Sequence, residues 1–142
     1  MPGGPEVILL VEDDPALREM SAELLRRLGY VVLVADNGAS ALKLFENRGE
    51  VAIDLLFTDV VMPLVSGPEL ADHIHVSYPA IRTLFTSAYP ANAIDHQRLV
   101  SPGAALLPKP FTPRELALKV RDVLDHGGTP AFDLPREEPA AV

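Results

Sequence analysis

The sequence predicts a doubly wound α/β fold: five parallel strands alternating with five helices that cover both faces of one sheet. Three observations lead there. Short apolar runs alternate with amphipathic stretches along the 142 residues, the order that strand–helix crossovers produce. The first run, Val7-Ile8-Leu9-Leu10-Val11, is apolar throughout, as a strand buried on both faces must be. Two Ser/Thr-x-x-Glu boxes, at Ser66 and Thr112, stand where helices should open.

Each element follows from its residues. After the first strand, Leu17, Met20, Leu24, Leu25 and Leu28 recur at helical spacing, with Arg18, Glu19, Glu23, Arg26 and Arg27 on the other face. Gly29 stops that helix, and Tyr30 to Ala35 reads as the second strand. Ala39, Ala41, Leu42, Leu44 and Phe45 make a second helix ending before Gly49. Leu55 to Thr58 is the third strand and runs into Asp59. Ser66-Gly67-Pro68-Glu69 opens the third helix with a hydroxyl cap and a proline in the first turn. Ile81 to Thr86 and Ala104 to Leu107 are the fourth and fifth strands, with a fourth helix between them at about Asn92 to Val100. Thr112-Pro113-Arg114-Glu115 starts the last helix, whose stripe is Leu116, Val120, Val123 and Leu124. From Gly127 the pattern dissolves into an acidic, proline-bearing stretch, expected to be a flexible tail or linker. The division is an extension at 1–5, one domain at 6–126 and the tail at 127–142, as one domain of about 100–200 residues would allow.

Composition narrows the function. With 48% hydrophobic and 23% charged residues the chain fills a core unaided. The absence of cysteine excludes disulfides, zinc knuckles and thiol nucleophiles. A net charge of −8 has the wrong sign for gripping nucleic acid. No apolar run approaches the ~20 residues that span a bilayer, and Met1 to Glu6 has neither a basic nor an apolar targeting region, so the expected location is the cytoplasm. No DNA-binding helix-turn-helix is expected in the short stretch after His126.

In open α/β sheets ligands bind beyond the carboxyl ends of the strands. There the chain places Glu12-Asp13-Asp14 after strand one, Asp59 after strand three, Ser87 after strand four and Lys109 after strand five. Asp14 precedes Pro15 and reads as a helix N-cap. Carboxylates ~4 Å apart repel by roughly 4 kcal/mol at an effective dielectric of about 20, so protonation or a cation must relieve them. An all-oxygen set suits a hard ion such as Mg²⁺, and Lys109 would balance the remaining charge or a bound phosphoryl group. His73 and His75, two apart on a helix, diverge and make no metal pair. Ser66 and Ser87 lack the context of a hydrolase nucleophile.

Val11-Glu12-Asp13-Asp14-Pro15, Asp59-Val60-Val61-Met62-Pro63 with Ser66-Gly67, Phe85-Thr86-Ser87-Ala88 and Lys109-Pro110-Phe111 together resemble the receiver domains of bacterial two-component response regulators, the CheY-like family. The wording around Ser87 and Lys109 is similar to receivers of hybrid sensor histidine kinases. The resemblance implies a flavodoxin-like sheet in the order 2-1-3-4-5 and a phosphoacceptor at Asp59. It implies Mg²⁺ held by Asp13 and Asp59 directly, by Glu12 through water and by the Val61 carbonyl. Ser87 and Lys109 then bond the phosphoryl oxygens, and the Lys109–Pro110 bond is cis. Expected partners are a sensor histidine kinase or a histidine phosphotransfer protein, with dimerisation through the face of the fourth helix, fifth strand and fifth helix. Leu106 stands where many members carry the aromatic of the switch. Val61 and Tyr89 flank the water approach to the phosphoryl group, so slow self-dephosphorylation is expected. A Mg²⁺-dependent aspartyl-phosphate hydrolase is a second reading, but it would want an Asp at 61, and Val61 moves no proton. A pseudo-receiver that only binds protein is a third.

Overall fold

The computed structural model describes residues 1–88 and 104–127. Its elements are β1 (Val7–Val11), α1 (Pro15–Arg27), β2 (Val31–Ala35), α2 (Gly38–Glu46), β3 (Leu55–Asp59), α3 (Gly67–Ser77), β4 (Arg82–Ser87), β5 (Ala105–Pro108) and α4 (Pro113–His126). All strand pairs are parallel, in the order β2-β1-β3-β4-β5. Four helices lie among the described residues. The expected helix at Asn92 to Val100, Tyr89, and the expected tail past Gly127 fall outside them.

Alternation along each strand builds two cores. Ile8, Leu10, Leu55, Phe57, Leu84 and Leu107 face α1 and α4, meeting Leu25, Leu116, Val120 and Val123. Leu9, Val11, Leu56 and Phe85 face the other way, against Ala41, Phe45, Leu70 and Ile74 of α2 and α3. This division explains why β1 is apolar throughout and β3 is apolar up to Thr58: neither face meets water.

Caps set the helix starts. Asp14 accepts from the amides of Ala16 and Leu17, Asn37 from Ser40, and Ser66 and Thr112 form complete capping boxes with Glu69 and Glu115. Three predicted strand starts move by one residue, β5 opening at Ala105 in place of Ala104 and two others moving for visible reasons. The Tyr30 amide closes the end of α1 on the Leu25 carbonyl, and the Ile81 amide turns onto the Tyr78 carbonyl, so neither joins a ladder. Met20, expected in the buried stripe of α1, is 47% exposed; Ser21, Ala22 and Leu25 are buried instead. Pro108 sits in β5, an edge strand, where a missing donor is tolerated.

Candidate functional site

Register brings the strand ends together. Asp59 pairs with Thr86, and Ser87 with Pro108. The Lys109 amide donates to the Ser87 carbonyl at 2.8 Å, carrying the lysine to the end of β4. The Lys109–Pro110 peptide is cis. The Glu12 amide donates to the Ala35 carbonyl at 3.1 Å, so the acidic segment continues the sheet by one residue before α1 begins.

At this edge one oxygen each from Glu12, Asp13 and Asp59 lie within 4.8 Å of one another. Glu12 is 2% exposed and Asp59 6%, while Asp13 is exposed. Lys109 Nζ donates to Glu12 Oε1 at 2.8 Å and to Asp59 Oδ2 at 2.9 Å. Burial raises the Glu12 carboxyl above its ordinary value, against the lowering effect of Lys109 and the Asp14 amide. Burial alone would lower Lys109, but its bonds to Glu12 and Asp59 hold its ammonium above the usual lysine value. The lysine is a fixed positive charge at neutral pH.

The donor set fits a hard divalent ion. Three carboxylates and one ammonium leave a formal charge of −2 at one point, which a +2 ion cancels. All donors are oxygens, and exposure at Asp13 leaves room for the waters Mg²⁺ retains. Asp14 stays out of the cluster because its carboxylate is spent on the α1 cap. Val61 lies in the loop directly after β3, its side chain half exposed.

The two hydroxyls at 86 and 87 have different surroundings. Thr86 Oγ1 donates to the Leu107 carbonyl at 2.7 Å inside the sheet. Ser87 ends β4 and is buried. Gly67 is required by the same edge: a Cβ there would overlap the Asp59 carbonyl oxygen, and its amide donates to the Val60 carbonyl at 2.9 Å. The loop between carries one strained residue, Leu64, at φ 71° and 96% exposed. The Val65 amide bonds to the Pro63 carbonyl at 2.8 Å around it, as in a γ-turn.

Sequence reasoning put Arg18 on the polar face of α1. In the structure its Nη1 donates to the Glu12 carbonyl at 2.8 Å, a contact that no spacing rule announces. Exposed Met20 also acquires a setting: with Leu17, Phe111 and the stem of Lys109 it lines an apolar recess of about 520 Å³ beside the acidic edge.

Comparison with known proteins finds relatives over most of the chain. The family model described as the response regulator receiver domain matches residues 8–121. The sensor kinase CckA of Brucella abortus (strain 2308) is 34% identical over 122 residues, covering 86% of this chain and 13% of the kinase. The response regulator receiver protein CpdR of the same organism is 36% identical over 117 residues, covering 82% of this chain and 95% of CpdR. The chain spans about half the length of the transcriptional regulatory proteins it also matches. Among solved structures, the receiver domain from the hybrid histidine kinase CckA superposes with a TM-score of 0.69 at 36% identity, covering 83% of this chain and 98% of that one.

Proposed function

This chain belongs to the response regulator receiver domain family of two-component signalling, and on that premise we propose that Asp59 accepts a phosphoryl group and switches the domain's surface. The observation that carries the proposal is the meeting of Asp59, Glu12 and Asp13 with Lys109 at one strand edge. Glu12, Asp13, Asp59 and the Val61 carbonyl would hold Mg²⁺. When bound, the ion supplies positive charge that offsets the carboxylates and the incoming phosphoryl oxygens.

The chain's own residues do the rest. An Asp59 carboxylate oxygen attacks phosphorus as the bond to the donor's histidine nitrogen breaks, and the imidazole leaves with the electron pair. The product is an acyl phosphate, a mixed anhydride that water can later cleave. Lys109, already 2.9 Å from Asp59, swings its ammonium onto an equatorial phosphoryl oxygen. The Ser87 hydroxyl takes another. Thr86 is held by Leu107 and keeps its place in the sheet. With Leu106 on β5, the readout is an aliphatic shift in place of an aromatic swing.

The donor is a sensor histidine kinase or a histidine phosphotransfer protein, for which the apolar recess beside Lys109 offers a foothold next to the acceptor. The proposed dimer face includes the segment read from the sequence as a fourth helix, which lies outside the described residues. Among the described residues no helix is long and apolar enough to cross a membrane. The test is mass spectrometry after incubation with acetyl phosphate and Mg²⁺. One phosphoryl mass is expected on the native chain and none on Asp59→Asn. A native chain that gains no mass, and that also binds no beryllofluoride with Mg²⁺, would be a protein-binding pseudo-receiver.

A further inference from the structure

We propose that Arg18 is a positioning residue for the divalent-cation site, gripping the peptide unit that joins Glu12 to Asp13. The inference rests on reading these carboxylates as the Mg²⁺ site. Adjacent residues in extended backbone send their side chains to opposite sides. Yet the chain bends at Asp13, just past β1, so that Glu12, buried, and Asp13, exposed, both bring an oxygen into one 4.8 Å cluster with Asp59. That convergence depends on the orientation of the peptide plane between them.

The structure holds this plane from several sides. The Glu12 amide is bonded to Ala35 at 3.1 Å. The Glu12 carboxylate is bonded to the Asp14 amide at 3.1 Å and to Lys109 at 2.8 Å. The Glu12 carbonyl, which shares its rigid plane with the Asp13 amide, accepts from Arg18 Nη1 at 2.8 Å. Asp13 has the least support of the three acids, being exposed, so its aim is set by that plane. Arg18 is well suited to the task. Its guanidinium never loses its charge, the bond to the carbonyl is charge-assisted, and its own amide donates to the Asp14 carbonyl at 2.9 Å in the first turn of α1. One residue therefore ties the acidic segment to the helix at both its backbone and its side chain.

Groups that orient metal ligands typically alter affinity by about 10–100-fold when removed. Calorimetric titration of the full chain with Mg²⁺ alone, comparing wild type, Arg18→Met and Arg18→Lys, tests the proposal. Arg18→Met is expected to bind roughly tenfold more weakly, with its melting temperature in EDTA little changed. Arg18→Lys, which keeps charge and a donor, is expected to recover part of the loss. Equal affinity of Arg18→Met and wild type overturns the proposal. So does a Lys variant as weak as Met, because the guanidinium's charged donor would then not be what matters. If Arg18→Met does not fold, Arg18→Gln decides: a loss of at least about threefold supports the role, and unchanged affinity ends it. A wild-type chain that binds no Mg²⁺ is a different outcome, since it removes the cation site itself.

Discussion

Replacing Lys109 with methionine keeps the aliphatic stem and deletes the charge that bridges Glu12 and Asp59. The lysine side chain is 14% exposed and its partners less, at 2.8 and 2.9 Å. Removing one member of a buried ion pair costs roughly 3–5 kcal/mol, because the partner's charge is left uncompensated. Here Glu12 has an escape, since burial already raises its carboxyl, so the lower end, about 3 kcal/mol, is expected at pH 7 without Mg²⁺. For a domain of this size that is roughly 10 °C in Tm. The pH dependence has a definite sign. A carboxyl whose folded pKa lies above its unfolded value favours the fold when protonated and opposes it as pH rises through the folded value. Loss of Lys109 raises Glu12 further, so the deficit is widest near neutrality and narrows as pH falls towards 5. Millimolar Mg²⁺ should return part of the loss by supplying the missing positive charge. Urea denaturation of both proteins in EDTA at pH 7 and pH 5, then with Mg²⁺, measures all three. Equal stability at pH 7, or a deficit that ignores pH, refutes the electrostatic account.

Three further outcomes are expected. Leu64→Gly should raise stability by up to about 1 kcal/mol, because the left-handed backbone costs leucine roughly 1–2 kcal/mol and the exposed side chain has little packing to lose; a lower Tm counts against the strain. Arg121 bonds Glu6 at 2.7 and 3.0 Å, lowering the Glu6 carboxyl, and also reaches the Tyr30 hydroxyl and the Gly3 carbonyl. A lowered carboxyl stabilises above its unfolded pKa and loses that contribution as pH falls through its folded value. Arg121→Met should therefore cost about 1–2 kcal/mol at pH 7 and progressively less as pH falls through the folded Glu6 value, checked by thermal melts from neutral to acid pH. Val61→Asn places a hydrogen-bonding group beside the acceptor and should speed loss of phosphate from the phosphorylated chain, followed by mass spectrometry over time; an unchanged decay would mean that residue 61 does not limit water's approach.

How much of this was legible beforehand depends on how local the cause was. The capping boxes at Ser66 and Thr112, the Asp14 cap and the unbroken apolar β1 were readable because their physics spans four or five residues. The convergence of Glu12, Asp13, Asp59 and Lys109 was readable at one remove, since strand ends of a parallel sheet share an edge and each residue could be assigned to one. Met20 was misplaced because helical periodicity marks an apolar stripe without saying which part of it the sheet covers. Tyr30 and Ile81 were drawn into strands because their amides bond back to the preceding helix ends, at Leu25 in the last turns of α1 and Tyr78 capping α3, which apolar pattern does not register.

The amino-acid order by itself determined the elements, their alternation and the chemistry available at one end of the sheet, because burial periodicity and side-chain chemistry are properties of short windows. Tertiary structure alone decided that Lys109 sits between Glu12 and Asp59, that Arg18 holds the Glu12 carbonyl, and that Thr86 and Ser87 part company. Those are ångström-scale contacts between segments up to 97 residues apart along the chain, from Glu12 to Lys109. They follow from strand register and helix docking, which the whole core sets together.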